Sequence, residues 1–358
     1  MQAGPVRLHG MTDSEAFAGR LLGALTGAAE LFTVELGRQL GLYRVLRGQA
    51  RTPAGLARAA DVDERYAREW LEQQAAAGIL THAGGEYALP EPVAAVLLDE
   101  EDEFYLGAAA EFGLGLGLLT PAVIEAFRTG KGITYADYGM HFRHGIAGFN
   151  RPMFRHLLAA EWLPAMPDVE QRLHRPGTHV LDLGCGVGHS SVALARAYPA
   201  VTVRGVDLDE ASIAEARRNA AEAGVADRVT FTRADAAQLA GLPPADLVTV
   251  FEALHDMADP VAVLTAARRV LADGGSVFIG DERVSDTFTA PAGEVERLQY
   301  AFSVLHCLPA TRAEGDHTAN GTVLRAPTLL DWARRAGFTQ PEVLDIANDF
   351  WRFYRLRG

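Results

Sequence analysis

Cysteine is scarce in this chain. Only two cysteines occur, Cys185 and Cys307, and they lie far apart in the sequence. Such a pair excludes the disulfide framework of a small secreted domain and suits a reducing cytosol. The N-terminus lacks a basic-apolar-small signal pattern, and no uninterrupted apolar run reaches the roughly 18 residues of a transmembrane helix. We therefore expect a cytoplasmic protein without a membrane partner.

Basic residues are also in short supply. Lys and Arg number 33 against 46 Asp and Glu, so the formal net charge is −13. Nucleic-acid-binding domains usually carry a basic footprint, and this balance argues against a nucleic-acid partner. The apolar content of 49% is ample for globular cores, and 358 residues predict two domains.

One glycine-rich stretch organises the rest of the chain. Residues 178–191, THVLDLGCGVGHSS, read as a short buried strand, a glycine turn and the start of a helix. Glycines leave the main chain bare, so a cofactor can touch it at a helix N-terminus. A dinucleotide site requires a small residue at position 189, which is His189 here. The spacing therefore favours a nucleoside cofactor without a diphosphate.

The first hundred residues predict a winged-helix domain, 1–100. Helices are expected over 13–28 and 30–41, followed by two further helices and a small hairpin. The candidate recognition helix, residues 63–74, is net acidic, whereas major-groove readers need basic support. We therefore expect a dimerisation lobe. A ligand-sensing DNA-binding regulator is the alternative from a different functional class.

Residues 101–175 predict a helical connector. A long apolar helix is expected over 103–129, and a further helix over 153–173. The segment between them, 131–154, is rich in aromatic residues and is expected to be irregular. Aromatic loops beside a cofactor domain often form the wall of a substrate pocket, although ordinary packing explains them equally well.

Residues 176–358 alternate strands with helices, which predicts an α/β fold with a Rossmann-like, doubly wound parallel sheet. The expected strands are 178–183, 201–207, 229–232, 245–251, 275–280 and 342–346, with one more around 321–324. The expected helices are 189–198, 210–223, 260–272, 293–306 and 326–336. Ligands of such sheets bind at the carboxyl ends of the strands.

Three polar residues mark those strand ends. Asp207 follows Gly184 by 23 positions, the distance at which a carboxylate can accept both ribose hydroxyls. Asp235 ends the third strand, where a carboxylate can accept from an adenine amine. His255 ends the fourth strand, and its ordinary near-neutral pKa suits a general base.

These motifs resemble those of class I S-adenosylmethionine-dependent methyltransferases. The matching segments are DLGCGVG at 182–188, VDL at 206–208, ADA at 234–236 and FNRPM at 149–153. The whole chain resembles the two-domain small-molecule O-methyltransferases of the plant type and their actinobacterial relatives, which act in specialised metabolism and dimerise through a winged-helix lobe. The resemblance implies S-adenosylmethionine as cofactor, a small-molecule substrate and a homodimer. The cofactor-binding residues it implies are Met153, Asp182, Gly184, Cys185, Gly186, Asp207, Leu208, Asp235, Ala236 and Phe251, the last at the place of the family's lysine.

The resemblance leaves two roles open for His255. As a metal-independent base it would deprotonate a hydroxyl while Asp281 orients its ring, but the family's second carboxylate is replaced by Leu324. Alternatively, His255 and Asp256 join an inward-facing His306 to hold a divalent metal that orients a small acid. Branches that act on 2-oxo acids and carboxylates use such a set, so O-methylation and C-methylation both stay open. A third reading keeps the cofactor but not methyl transfer.

Overall fold

The computed structural model describes residues 14–315 and 320–358. Within these ranges the chain divides into two compact units. One contains the chain up to Leu114 together with His144–Phe149, and the other contains Gly115–Arg143 and Asn150–Gly358. The first residue of the helix expected over 13–28 lies outside the described residues.

The first unit is mostly helical and begins with one long helix. Its elements are α1 (Ser14–Gln39), α2 (Leu42–Leu46), α3 (Pro53–Ala60), α4 (Glu64–Ala76), β1 (Thr81–Ala83), β2 (Glu86–Ala88) and α5 (Glu91–Leu98). The prediction of separate helices over 13–28 and 30–41 is wrong. Alanine has the strongest helix propensity, and Ala28 and Ala29 carry α1 through the expected break.

Local capping determines where the winged-helix elements begin. Thr52 Oγ1 accepts a hydrogen bond from the Gly55 N–H at 3.1 Å, at the start of α3. Asp63 caps α4 by accepting from two main-chain N–H groups of its first turn. The strands β1 and β2 pair antiparallel. The predicted helix, helix, hairpin order of a winged helix is therefore confirmed.

Two long helices, α6 (Ala108–Thr129) and α7 (Gly139–His156), have residues in both units. The prediction that 131–154 is irregular is wrong, because α7 occupies most of it after a short 3-10 turn at Tyr135–Tyr138. The glycines of α7 lower its helix propensity, but close packing against a neighbouring helix leaves no room for a side chain at Gly145. A Cβ on Gly145 would lie 2.4 Å from the Phe112 Cα, so only glycine fits there.

The chain after α7 is broken rather than one helix over 153–173. A wide π turn at Leu158–Trp162 and a 3-10 turn at Leu163–Ala165 precede α8 (Pro167–Leu173). Pro164 and Pro167 have no main-chain N–H to donate, and this interrupts the regular pattern of helix hydrogen bonds.

The second unit is built on a seven-stranded sheet with the order β5-β4-β3-β6-β7-β9-β8. The strands are β3 (His179–Leu183), β4 (Thr202–Asp207), β5 (Val229–Arg233), β6 (Ala245–Phe251), β7 (Leu271–Glu282), β8 (Glu342–Leu344) and β9 (Trp351–Arg357). The helices are α9 (His189–Ala197), α10 (Glu210–Glu222), α11 (Pro260–Val270), α12 (Glu294–Phe302), α13 (Leu308–Glu314) and α14 (Ala326–Arg335). The Rossmann-like prediction is confirmed, since β5, β4, β3, β6 and β7 are parallel neighbours.

The sheet is mixed rather than wholly parallel. The strand β9 pairs antiparallel with both β7 and β8, and sequence reasoning missed it. Its three arginines suggest a solvated segment, but Arg355 is buried and donates to Asp168 and to the Ser276 hydroxyl. The strand expected around 321–324 does not form in that described segment.

By length and apolar composition alone, α1 and α6 meet the requirement for a membrane span. The core helix of a soluble protein and a signal sequence near an N-terminus have the same length and apolar composition. These two helices are therefore weak evidence for a membrane span.

Candidate active site

The glycine turn between β3 and α9 is held tightly against its neighbours. Gly184, Gly186 and Gly188 have φ values of +67°, +52° and +81°, which favour glycine. The Gly184 N–H donates to the Val206 carbonyl at 2.8 Å and so ties the turn to β4. A Cβ on Gly184 would lie 2.5 Å from the Ala253 Cβ, so the turn also abuts the segment that follows β6.

Asp182 lies beneath this turn and is only 1% exposed. It accepts hydrogen bonds from the Ser190 and Ser191 hydroxyls, both at 2.6 Å, and from the Thr249 hydroxyl at 2.8 Å. Burial raises the pKa of Asp182, and the three hydroxyl donors oppose that shift. The carboxylate therefore links β3 to α9 and β6. The hydrogen bonds described for it are all made to protein hydroxyl groups.

Asp207 is oriented at the tip of β4. Its Oδ2 accepts from the Gly186 N–H at 2.8 Å, and its Oδ1 accepts from the Asp209 N–H at 2.9 Å. Burial raises the pKa of Asp207, and these N–H donors lower it. The neighbouring Leu208 is 48% exposed. Main-chain N–H donors thus fix the Asp207 carboxylate at the strand tip, where a carboxylate can accept from ribose hydroxyls.

Asp235 and Ala236 lie just beyond β5, the strand beside β4. Asp235 Oδ1 accepts from the Ala237 N–H at 2.8 Å, and Ala236 is buried. Cys185 is also buried, and burial raises its pKa well above the usual thiol value, so this thiol is neutral. Because β3, β4 and β5 are neighbours, the structure brings these predicted cofactor residues to one edge of the sheet.

The last two predicted cofactor residues pack into apolar surroundings. Phe251 is 6% exposed and stacks on Trp351 at a centroid distance of 6.2 Å. Its ring also lies near Phe154 and Trp162. Met153 packs partly buried against the same cluster. The place of the family's lysine is therefore an aromatic core position in this chain.

His255 lies in a short 3-10 turn after β6 and is 1% exposed. Its Nδ1 is 2.9 Å from Asp281 Oδ1 at the end of β7, which also accepts the Glu282 N–H. Its Nε2 is 3.3 Å from Asp256 Oδ1. Burial lowers the pKa of His255, but the two aspartates outweigh it and hold the pKa well above the usual range.

His306 faces the same centre from the other side. It lies in a π turn at Ser303–Cys307 that continues α12, and it is 2% exposed. Its Nε2 is 3.8 Å from Asp256 Oδ2, too far for a hydrogen bond. Burial lowers its pKa to about 4, and the Tyr138 and Phe142 rings pack on it at 4.4 and 4.1 Å.

The sequence indicated no role for Glu252, and for Glu282 it left open a charged loop or a network behind the site, whereas the structure places both in this centre. Burial and mutual repulsion raise the pKa of Glu252 well above its usual range, and burial raises that of Glu282 to about 7. The two carboxyl groups hydrogen-bond to each other, with Asn150 donating to Glu252 and Gln299 to Glu282. Two close, buried carboxyl groups cannot both ionise without a counter-charge, so this geometry favours one shared proton. Glu252 directly follows β6 and Glu282 ends β7, and these strand-end positions were the sequence signal for a place in the site.

A glycine turn after one parallel strand, with carboxylates at the tips of the next two, defines a Rossmann-like domain for a nucleoside cofactor. Residues 174–317 match the methyltransferase domain family, and residues 28–98 match the Rv2258c-like winged HTH domain family. The chain is 32% identical over 191 residues to the ubiquinone biosynthesis O-methyltransferase of Pseudomonas aeruginosa, covering 52% of this chain and 76% of that one. The chain belongs to the S-adenosylmethionine-dependent methyltransferases.

Solved structures share the whole two-domain fold. A Nostoc punctiforme protein proposed to be an O-methyltransferase matches with a TM-score of 0.70 at 22% identity, covering 96% of this chain and 99% of that one. Human N-acetylserotonin methyltransferase, solved with S-adenosylmethionine, matches with a TM-score of 0.66 at 16% identity, covering 100% and 99%. At these identities the likeness shows the fold alone.

The glutamate pair predicts a pH-dependent stability. The pKa of Glu282 is about 4.5 in the unfolded chain and about 7 in the folded protein, so the folded state binds the proton more tightly. This proton stabilises the fold fully below about pH 4.5, and the stabilisation is lost as the pH rises through about 7. We expect the free energy of unfolding to fall by roughly 2 kcal/mol between pH 5 and 8. In Glu252→Gln, the neutral amide keeps the hydrogen bonds and should flatten this slope.

Thermal melting from pH 5 to 8 measures the effect. Glu294→Gln, at an exposed position on α12, is the control and should keep the wild-type slope. Equal slopes for Glu252→Gln and wild type would contradict a shared proton.

Proposed function

We propose that this methyltransferase methylates a small acid at a carboxylate or hydroxyl oxygen, with a divalent metal orienting the substrate. The observation that carries the proposal is the contact between the cofactor turn and the His255 segment: Gly184 packs on Ala253, two residues before His255. A methyl donor at the turn and an acceptor at His255 would therefore be neighbours. The glycine turn, Asp207 and Asp235 would hold S-adenosylmethionine, which supplies an electrophilic methyl group when bound.

The metal reading is supported by polar atoms that lack partners. Within the described part of the chain, Asp256 Oδ1 and His306 Nδ1 are buried without a hydrogen bond. His255 uses Nδ1 for Asp281, which leaves only Nε2 for another ligand. Buried charges and polar atoms without partners are costly, and a cation near Asp256 would satisfy its Oδ1 and be within reach of the His306 Nε2 that faces this carboxylate. His255, Asp256 and His306 would then hold the ion, and open positions would bind the substrate.

The metal-independent reading gives His255 the role of base, with Asp281 fixing its tautomer. The 2.9 Å contact between His255 and Asp281 supports His255 as a base and His255 as a metal ligand equally. Methylation at carbon of a 2-oxo acid is the remaining alternative for a chelating acid substrate. The rings of Tyr135, Tyr138 and Phe142 line the His306 side and would limit the acceptor to a small molecule.

We also propose a cytoplasmic homodimer, with domain limits of 1–100, 101–175 and 176–358. The support is the exposed apolar face of α1, on which Leu21, Leu22 and Leu25 are 63%, 64% and 65% exposed. Further exposed apolar residues of this helix and its end are Phe17, Leu31, Phe32, Leu36 and Leu40. Apolar patches of this extent are typical of an interface, and a second copy could cover them.

Cofactor binding tests the assignment of the strand ends. In Asp207→Ala the ribose hydroxyls lose a charged acceptor, so the affinity for S-adenosylhomocysteine should fall about 10- to 100-fold. Isothermal titration calorimetry measures this, with the exposed Asp227→Ala as control. Unchanged affinity in Asp207→Ala would place the cofactor elsewhere. A specific operator shift in a gel would favour the regulator alternative.

Chelation tests the metal. Dialysis against a chelator should remove about one bound divalent ion per chain, and His306→Ala should weaken metal binding more than tenfold while cofactor affinity stays at the wild-type value. Metal content is measured by atomic emission, with His174→Ala, an exposed histidine, as the matched control. Methyl transfer that is indifferent to both treatments would leave the metal-independent base mechanism.

A charge on the α1 face tests the dimer. Leu22→Glu places a carboxylate in the proposed interface, so the protein should change from two chains to one in light scattering. Tyr66→Glu on α4, where the side chain is 79% exposed, is the control and should leave the assembly unchanged. A monomeric wild type would refute the proposal.

A further inference from the structure

A second donor set overlaps the proposed metal site. Among the described residues, one group of three metal-ligating side chains has donor atoms within 4.8 Å of one another, namely His255, Asp256 and Cys307. We propose that Cys307 releases its proton to solvent on binding the cation, coordinates it as a thiolate and makes the site selective for a thiophilic divalent ion such as Zn²⁺. This inference rests on the proposed metal site and adds the class of ion it takes.

Two consecutive residues of one π turn, His306 and Cys307, are buried beside the same centre. The wider turn at Ser303–Cys307 buries both, at 2% and 5% exposure. His306 approaches Asp256 Oδ2, and Cys307 lies in the group with Asp256 and His255. Single π turns occur frequently at functional sites.

The sulfur of Cys307 is held by a hydroxyl donor. Thr322 Oγ1 donates to Cys307 Sγ, and Thr322 is itself 1% exposed. A Cβ on the preceding Gly321 would lie 2.5 Å from Ser303 Oγ, so this segment packs directly on the π turn. Hydrogen bonds of this kind orient a metal-binding thiolate and stabilise its charge.

A second observation points to an ion at this place. Asp256 Oδ1 is buried without a hydrogen-bond partner among the described residues, and Nε2 of the buried His306 faces the same carboxylate beyond hydrogen-bond distance. The thiol, the imidazole and the carboxylate whose donor atoms lie within 4.8 Å of one another form a donor set that zinc binds. Calcium and magnesium prefer oxygen ligands, so the sulfur selects against them.

Cobalt(II) is a spectroscopic probe for this site. A Co²⁺–thiolate bond gives an intense near-ultraviolet charge-transfer band, whereas nitrogen and oxygen ligands give only weak visible bands. We expect one equivalent of Co²⁺, added to the chelator-treated full chain, to produce the sulfur band. Cys307→Ser should lose that band and keep the visible ones. Because the chain has only two cysteines, the band in the matched variant Cys185→Ser belongs to Cys307.

The outcomes separate the claims. A sulfur band in Cys185→Ser supports the thiolate ligand even if Cys307→Ser does not fold. Cobalt binding without a sulfur band in Cys185→Ser overturns the role of Cys307 and leaves the His255, Asp256 and His306 site standing. No cobalt binding overturns both. Displacement of Co²⁺ by Ca²⁺ or Mg²⁺ at similar concentrations overturns the selectivity. Titration of the wild-type and Cys307→Ser proteins with S-adenosylhomocysteine reports separately on the methyltransferase assignment.

Discussion

The buried carboxylate of Asp182 is the interaction on which the geometry of this active site depends. Its bonds to Ser190, Ser191 and Thr249 join the start of α9 to β6 across β3. The glycine turn lies between β3 and α9, so the hydrogen bonds of Asp182 fix the position of the turn relative to β6. Hydrogen bonds to a charged acceptor contribute about 1.5–3 kcal/mol each, but burying the charge offsets much of that. The carboxylate therefore specifies a geometry more than it stabilises the fold.

A concentration of negative charge at the ends of β6 and β7 is the second constraint. Glu252, Asp256, Asp281 and Glu282 interact electrostatically with one another and with the His255 imidazole. Carboxylates in one partly dry site cannot all ionise without a counter-charge. The proton shared by the glutamates relieves one half of the cluster. A cation beside Asp256 would relieve the other half, so the shared proton and the proposed metal answer the same electrostatic problem.

The sequence predicts the strand ends well because apolar runs, glycines and the acidic residues after them are local signals. Asp207, Asp235 and His255 lie where those signals place them. The missed features depend on tertiary structure. Glu252 adopts a φ of +48°, which no local pattern indicates. The helical periodicity over 293–306 identifies His306 as inward, but it gives no sign of the π turn or of the burial of Cys307 within it.

The choice between base and metal mechanisms reduces to one atom, His255 Nε2. Asp281 occupies Nδ1, so Nε2 cannot both bind a cation and accept a substrate proton. As a base, His255 would have to be neutral, yet the aspartates beside it raise its pKa and favour the imidazolium. As a ligand, the same aspartates favour a cation in the place of that proton. The electrostatics of this chain thus favour the ligand role, and the acceptor would then be activated by orientation and charge rather than by His255.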